Sequence, residues 1–372
     1  MGSAALHQLA KRGASVLGID RYAPPHELGS SHGDTRITRL AIGEGEHYTP
    51  LVKRSHALWR EIEHETGVEL LTQCGELIVS SPNPTSHTHV PDFFQNTVRA
   101  ARRHGVAHEL LDAAQIRTRF PIFNVEDDAF AYFEPEAGFV RPEACIAAEL
   151  ALAAKHGALI RRNESVHSFE STHDGVVVTT DRETYRADKI ILAAGAWLPK
   201  LLGGEFEKLL RVYRQVLFWF DVDSDPDRFT PSRFPVFIWE LPESRQGIYG
   251  FPVVDQGLKI ATEQYMDTTS PDEADRAVRD AEAAAMHQRY VAAYLRDVSA
   301  RCLKAKACLY TVTPDAGFIV DTLPGQERVI VASCCSGHGF KHSPAIGEIL
   351  ADIAQGRGSQ FDLSPFRLSR FG

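Results

Sequence analysis

Between Gly29 and Arg39 the run GSSHGDTRITR gathers His32, Thr35, Arg36 and Arg39 into one short stretch. Arginine keeps its charge at any relevant pH and offers a planar fork of donors, so two of them together suit the binding of a carboxylate, although a solvated surface loop would read the same way. Lys259 sits in the otherwise apolar GLKIATEQY, where an ammonium is costly unless it faces water, a partner or a site. Cys308, in KACLYTVTP, reads by itself as a small buried hydrophobe. The turn SGHGFKH carries Gly337 and Gly339, which allow backbone to approach a ligand closely, with Lys341 beside them. His338 and His342 are four apart, but no third ligand accompanies them and no metal site is expected.

The elements that must position these groups begin with MGSAALHQLAKRGASVLGID, a helix with a small-residue face (Gly2, Ala4, Ala5), a turn at Gly13 and a short apolar strand ending at Asp20. That is the second half of a dinucleotide-binding βαβ unit. Gly2 stands where the third glycine of G-x-G-x-x-G would stand, and Asp20 where an acid accepts from a ribose, or else is an ordinary loop aspartate. An opening strand with the first two glycines would need roughly 10 to 17 residues ahead of Met1, and without it the sheet would lack its central strand. Further on, helical spacing is predicted over 48–67, from about His87 to Arg103 and from Pro142 to His156. Ile190 to Ala193 is apolar without alternation, as a parallel strand covered on both faces should be. Alternating, aromatic strands from Arg211 to Thr262 predict an antiparallel sheet under a substrate site, and a long helix capped by Ser270 should follow. The chain end returns to strand, glycine-rich turn and helix. A nucleotide-binding domain interrupted by a second domain accounts for this order.

The chain has 372 residues, 44% of them hydrophobic, and a formal charge of -9, which disfavours nucleic acid as a partner. Its six cysteines are too scattered for a secreted disulfide framework, and no segment has the roughly 20 apolar residues that a bilayer span needs. A cytoplasmic enzyme without membrane contact is expected. The start MGSAAL has Leu6 where a myristoylation signal wants Ser or Thr.

Taken in order, HGDTR, GFP followed by GLK, a cysteine two before a tyrosine (Cys308, Tyr310), FIVDTLPG, SGHGFK and FDLSPFRLSRF resemble the monomeric sarcosine oxidase and N-methyltryptophan oxidase family of flavoenzymes across essentially the whole chain. The resemblance implies an α/β fold with a discontinuous FAD-binding Rossmann-like domain (1–70, 134–210 and 316–372, first strand missing) and an α+β substrate domain with an antiparallel sheet (71–133 and 211–315). It implies FAD bonded to the Cys308 sulfur and contacted by Gly2, Asp20, Thr35, Val166, Gly195, Trp197, Gly337 and Gly339. Lys259 would activate oxygen, with Arg36, His32 and Tyr249 beside the flavin. Arg39 and Lys341 would grip the substrate carboxylate, and Tyr310 and Ile238 would line the pocket. Glu263 departs from the family, which has histidine there; it could pair with Lys341, or accept a cationic or hydroxyl-bearing substrate. The implied enzyme is a monomeric oxidase of secondary amino acids that consumes O2 and releases hydrogen peroxide. A flavin dehydrogenase using an electron carrier, or a non-catalytic remnant, are the alternatives.

Overall fold

The computed structural model describes residues 1–372 except 83, 85–89, 224 and 242–246. Three helices pack together in one part of the molecule: Gly2–Lys11, Pro142–Lys155 and Ser343–Ala354. The first lies against the other two. Its Ala4 approaches so closely that a Cβ added to Gly347 would fall 2.5 Å from the Ala4 Cβ. Ser3 donates to Glu149 at 2.6 Å, and Arg12 pairs with Asp352 at 2.6 Å.

The strands around these helices form separate sheets. Leu17–Asp20 pairs in parallel with Leu159–Arg162, while Ile190–Leu192 pairs in parallel with Gln326–Ser333, which in turn pairs with Ile319–Leu323. Among the described residues no strand joins the two sets. The expected double coverage of Ile190 to Ala193 therefore does not hold: Ile190 and Ile191 are half-buried, because they line an open cavity with Leu17, Gly18 and Ile19.

The other part is built, among the described residues, on one nine-stranded sheet. Its longest members, Arg211–Val222 and Val298–Val312, run antiparallel from Arg211 opposite Val312 to Val222 opposite Val298. Leu258–Thr262, Ile248–Phe251 and Val236–Trp239 extend it antiparallel, and Glu76–Ser80 joins Val236–Trp239 in parallel. Phe123, Phe229, Phe237 and Phe220 are fully buried in a phenylalanine-rich core that includes residues of this sheet. Deleting a ring of this kind typically costs about 3–5 kcal/mol, so the sheet is a rigid platform for whatever its other side chains hold.

Two helix expectations need correction. The segment after Ser270 is turn and irregular chain, and helix begins only at Asp280–Met286, continuing as a π-turn through Val291. Arg214 on the adjacent strand explains this, since its guanidinium donates to the Asp275 and Ala277 carbonyls at 2.7 Å each and ties down backbone that a helix would use. The helix expected from His87 is observed as Phe93–His104, and residues 85–89 lie outside the described part.

Candidate active site

A cavity of about 1260 Å³ runs between the two parts of the molecule, larger than the roughly 300–1,000 Å³ of most small-molecule pockets. Gly2, Asp20, Val166, Gly195 and Trp197 line it among the separate sheets; Arg36, Arg39, Ile238, Tyr249, Glu263, Tyr310, Gly337, Gly339 and Lys341 line it elsewhere. His32, Thr35, Lys259 and Cys308 stand behind this lining.

The Gly29-to-Arg39 run is positioned by distant carboxylates. Gly33 and Asp34 donate their backbone N–H groups to Glu143, at 2.6 and 3.2 Å. Leu40 and Ala41 donate theirs to Glu134, at 2.5 and 3.1 Å, and Tyr132 adds its hydroxyl at 2.7 Å. Gly33 has φ +94°, and a Cβ there would fall 2.5 Å from Leu217, so only glycine makes this turn. The turn presents the Gly33 and Thr35 carbonyls to Lys259, which donates at 2.6 and 2.7 Å and contacts the Thr35 hydroxyl at 3.1 Å. Lys259 Nζ also lies 4.2 Å from the centre of the Phe251 ring, a cation–π distance. Burial, reinforced by Arg36, holds its pKa well below the ordinary lysine value. Three oxygens satisfy an ammonium; a neutral amine would donate to the two carbonyls and accept from the hydroxyl, which can reverse its role.

Arg36 donates to the Thr35 and Ser30 carbonyls, both at 2.8 Å, and lies 3.5 Å from the Cys308 sulfur. Burial opposes its charge, but Cys308, Tyr249 and Tyr310 outweigh that and raise its pKa. Cys308 is buried, which pushes its thiol above the ordinary value while Arg36 pulls the other way. His32 is also buried, and burial followed by Arg36 lowers its pKa to about 3, so it is neutral.

Arg39 and Lys341 both lie beside an internal acid, Glu44. Arg39 Nη2 donates to both oxygens of Glu44 at 2.8 and 2.7 Å, and Nη1 lies 3.6 Å from Glu76. Lys341 donates to the His338 carbonyl at 2.7 Å and lies 3.9 Å from Glu44. Burial lowers the Lys341 pKa to about 8 and raises that of Glu76 to about 8. Glu44, Glu76, Glu134 and Glu143 were not candidates in the sequence, where each is a single acid without a motif. Asp272 was also missed: it lines the cavity and accepts from Trp197 at 3.0 Å and Arg21 at 2.8 Å.

The cavity fits a dinucleotide. It begins with Asp20 and the N-terminal turn of the first helix, which favours anionic groups, and reaches a region of fixed cations and aromatic side chains. Among the described residues no group of three or more metal-ligating side chains occurs, and no helix is long and apolar enough to cross a membrane.

Comparison with known proteins agrees with this geometry. Residues 1–353 match the family described as FAD dependent oxidoreductase, DAO. Monomeric sarcosine oxidase from Streptomyces avermitilis is 39% identical over 358 residues, covering 95% of this chain and 91% of that protein. N-methyl-L-tryptophan oxidase from Yersinia pestis is 37% identical over 375 residues, covering 100% and 96%. Among solved structures, the open form of NikD, an amino acid oxidase of nikkomycin biosynthesis, superposes with a TM-score of 0.82 at 24% identity, covering 98% of this chain and 94% of that one. With mixed α/β architecture, a dinucleotide-sized cavity and this full-length similarity, the chain belongs to the DAO family of FAD-dependent oxidoreductases.

Proposed function

We propose that the protein oxidises N-methyl or other secondary amino acids, with FAD tethered through Cys308 and O2 as the electron acceptor. Bound FAD supplies the two-electron acceptor for the C–H bond next to the amine. The products are then an imine, which water hydrolyses to an amine and a carbonyl compound, and hydrogen peroxide, in which O2 has taken up two electrons and two protons.

The observation that carries this reading is the pairing of Arg39 and Lys341 in one cavity with Tyr249, Tyr310 and Arg36. Arg39 and Lys341 hold the substrate carboxylate, which fixes the amine with respect to the redox group. Their charge also favours the neutral amine, the form whose lone pair can assist C–H cleavage. Lys259, when protonated among the Gly33 and Thr35 oxygens, supplies positive charge for oxygen reduction, where negative charge develops. Arg36, 3.5 Å from the Cys308 sulfur, would stabilise the thiolate for a tether whose C–S bond replaces a C–H bond of the flavin ring methyl, the proton going to solvent and the two electrons to O2. His32 keeps this cluster free of a further charge, and Ile238 gives the pocket an apolar wall. Asp20, Gly2, Thr35, Val166, Gly195, Trp197, Gly337 and Gly339 hold the cofactor. The domain division at 1–70, 134–210 and 316–372 against 71–133 and 211–315, a monomeric state and a cytoplasmic location belong to the same reading.

Denaturing the purified yellow protein tests the tether: colour should stay with the polypeptide, and complete release would reject Cys308. Peroxide formed under air from N-methyl amino acids tests the oxidase, and flavin bleaching that yields none would favour a dehydrogenase.

A further inference from the structure

The Cys308 sulfur is shut off from the cavity. Cys308 is only 1% exposed, whereas Gly29, Ser30 and Arg36 lie against the sulfur and line the cavity themselves. The Gly29 and Ser30 carbonyls stand 4.0 and 3.5 Å from it as acceptors for the thiol, and the Arg36 guanidinium lies at 3.5 Å. Leu217, Trp219 and Ala261 pack with Cys308 in one buried cluster. A bond between the sulfur and anything in the cavity requires direct contact, so part of this cover has to move.

The strands are poor candidates for movement. Leu217, Trp219 and Ala261 sit in the paired ladder of Arg211–Val222 with Leu258–Thr262, and Arg36 begins a strand opposite Val140. Residues 27–31 are different: they form an irregular turn, and no backbone–backbone hydrogen bond among the described residues holds them. Side chains hold them instead. Lys306 pairs with Glu27, Arg276 donates to the Leu28 carbonyl at 2.8 Å, and Arg36 donates to that of Ser30 at 2.8 Å. The Ser30 hydroxyl is buried without a hydrogen-bond partner, which disfavours the closed position. Lys306 and Cys308 are two apart on Val298–Val312 and so share a face of the strand, with the outermost anchor beside the sulfur it helps to cover. The side chains of Lys306 and Glu27 are 35% and 63% exposed, and an ion pair so open to water is weak and screened by salt.

We propose that residues 27–31 form a strap over Cys308, latched by the Glu27–Lys306 pair, and that the sulfur becomes accessible from the cavity only when the strap lifts. The purpose of this opening rests on the Cys308 tether proposed above, which needs the sulfur to be within reach.

The strap is tested without any cofactor, on flavin-free protein. Iodoacetamide alkylates the Cys308 thiolate with loss of iodide, and mass spectrometry of the Cys308 peptide gives a labelling rate that follows the population of the open form. Lys306→Gln should raise that rate about two- to five-fold. Loss of a neighbouring cation would by itself disfavour the thiolate and slow labelling, so acceleration reports opening. Salt at 1 M should speed the wild type by a similar factor and leave Lys306→Gln nearly unchanged, and adding Glu27→Gln to that variant should speed it no further. Cys145, buried in a different cluster, should stay unlabelled throughout, which excludes global unfolding. Equal or slower labelling in Lys306→Gln, or no effect of salt on the wild type, would overturn the proposal. Colour that survives denaturation after FAD is added should appear faster in Lys306→Gln by the same factor. If the labelling pattern holds and no colour is fixed in either form, the tether reading fails and the strap stands.

Discussion

Lys341 is a buried lysine whose pKa is lowered to about 8, beside Glu76, a buried acid whose pKa is raised to about 8. As pH rises through that value the Arg39–Lys341 corner loses one positive charge and gains one negative charge. KM for an amino acid substrate should therefore climb above pH 8, measurable as a steep alkaline limb in kcat/KM, and Lys341→Met should weaken binding and turnover together below pH 8, with the difference from wild type shrinking above it. The same acid sets a stability trend. Its folded-state pKa lies above its unfolded value of 4.5, so the folded protein binds more protons between pH 4.5 and 8 and loses stability across that window. The melting temperature should fall from pH 5 to pH 8 by an increment that Glu76→Gln abolishes. Lys259→Met should leave substrate reduction of the flavin nearly intact and slow its reoxidation by O2 about 10²–10³-fold, separable by stopped-flow absorbance. Cations such as Arg39, Lys259 and Lys341 were legible in the sequence because a lone charge in an apolar or glycine-rich setting is conspicuous. The acids facing them were not, since Glu44, Glu76 and Glu134 act through distance in space and occupy unremarkable positions in the chain.

At the scale of elements, the strands were legible wherever side chains alternate. Cys308 and Tyr310 lie two apart on Val298–Val312, and Lys259 lies on Leu258–Thr262 opposite Trp219 and Phe251. The failure after Ser270 has a local cause: good helix-forming residues were overridden by the Arg214 guanidinium, a tertiary contact that periodicity does not carry. The Gly29-to-Arg39 loop illustrates the complementary case. Its chemistry could be read, but what fixes it, the Glu143 and Glu134 carboxylates, comes from other segments. Glu143→Ala should free the Gly33 and Asp34 N–H groups, loosen the oxygen cradle of Lys259 and lower the oxidative rate more than substrate affinity, seen as a fall in kcat at nearly constant KM. Gly337→Ala, by contrast, should raise KM and cost about 1 kcal/mol of stability through its left-handed backbone.

Across the whole molecule, the cavity lies between the sheets, so a dinucleotide seated in it would touch both parts at once. Any ligand that binds only the folded state stabilises it by mass action, by about 2.7 kcal/mol at a hundred times its dissociation constant. Adding FAD to flavin-free protein should accordingly raise the melting temperature in a concentration-dependent way. Because the strand pairs Leu17–Asp20 with Leu159–Arg162 and Ile190–Leu192 with Gln326–Ser333 share no hydrogen-bonded ladder among the described residues, the first helix, wedged between two others with Ala4 against Gly347, is the keystone that holds them in register. A bulkier residue at Gly347 would pry the halves apart like a shim, and amide exchange would quicken on both sides of the cleft together.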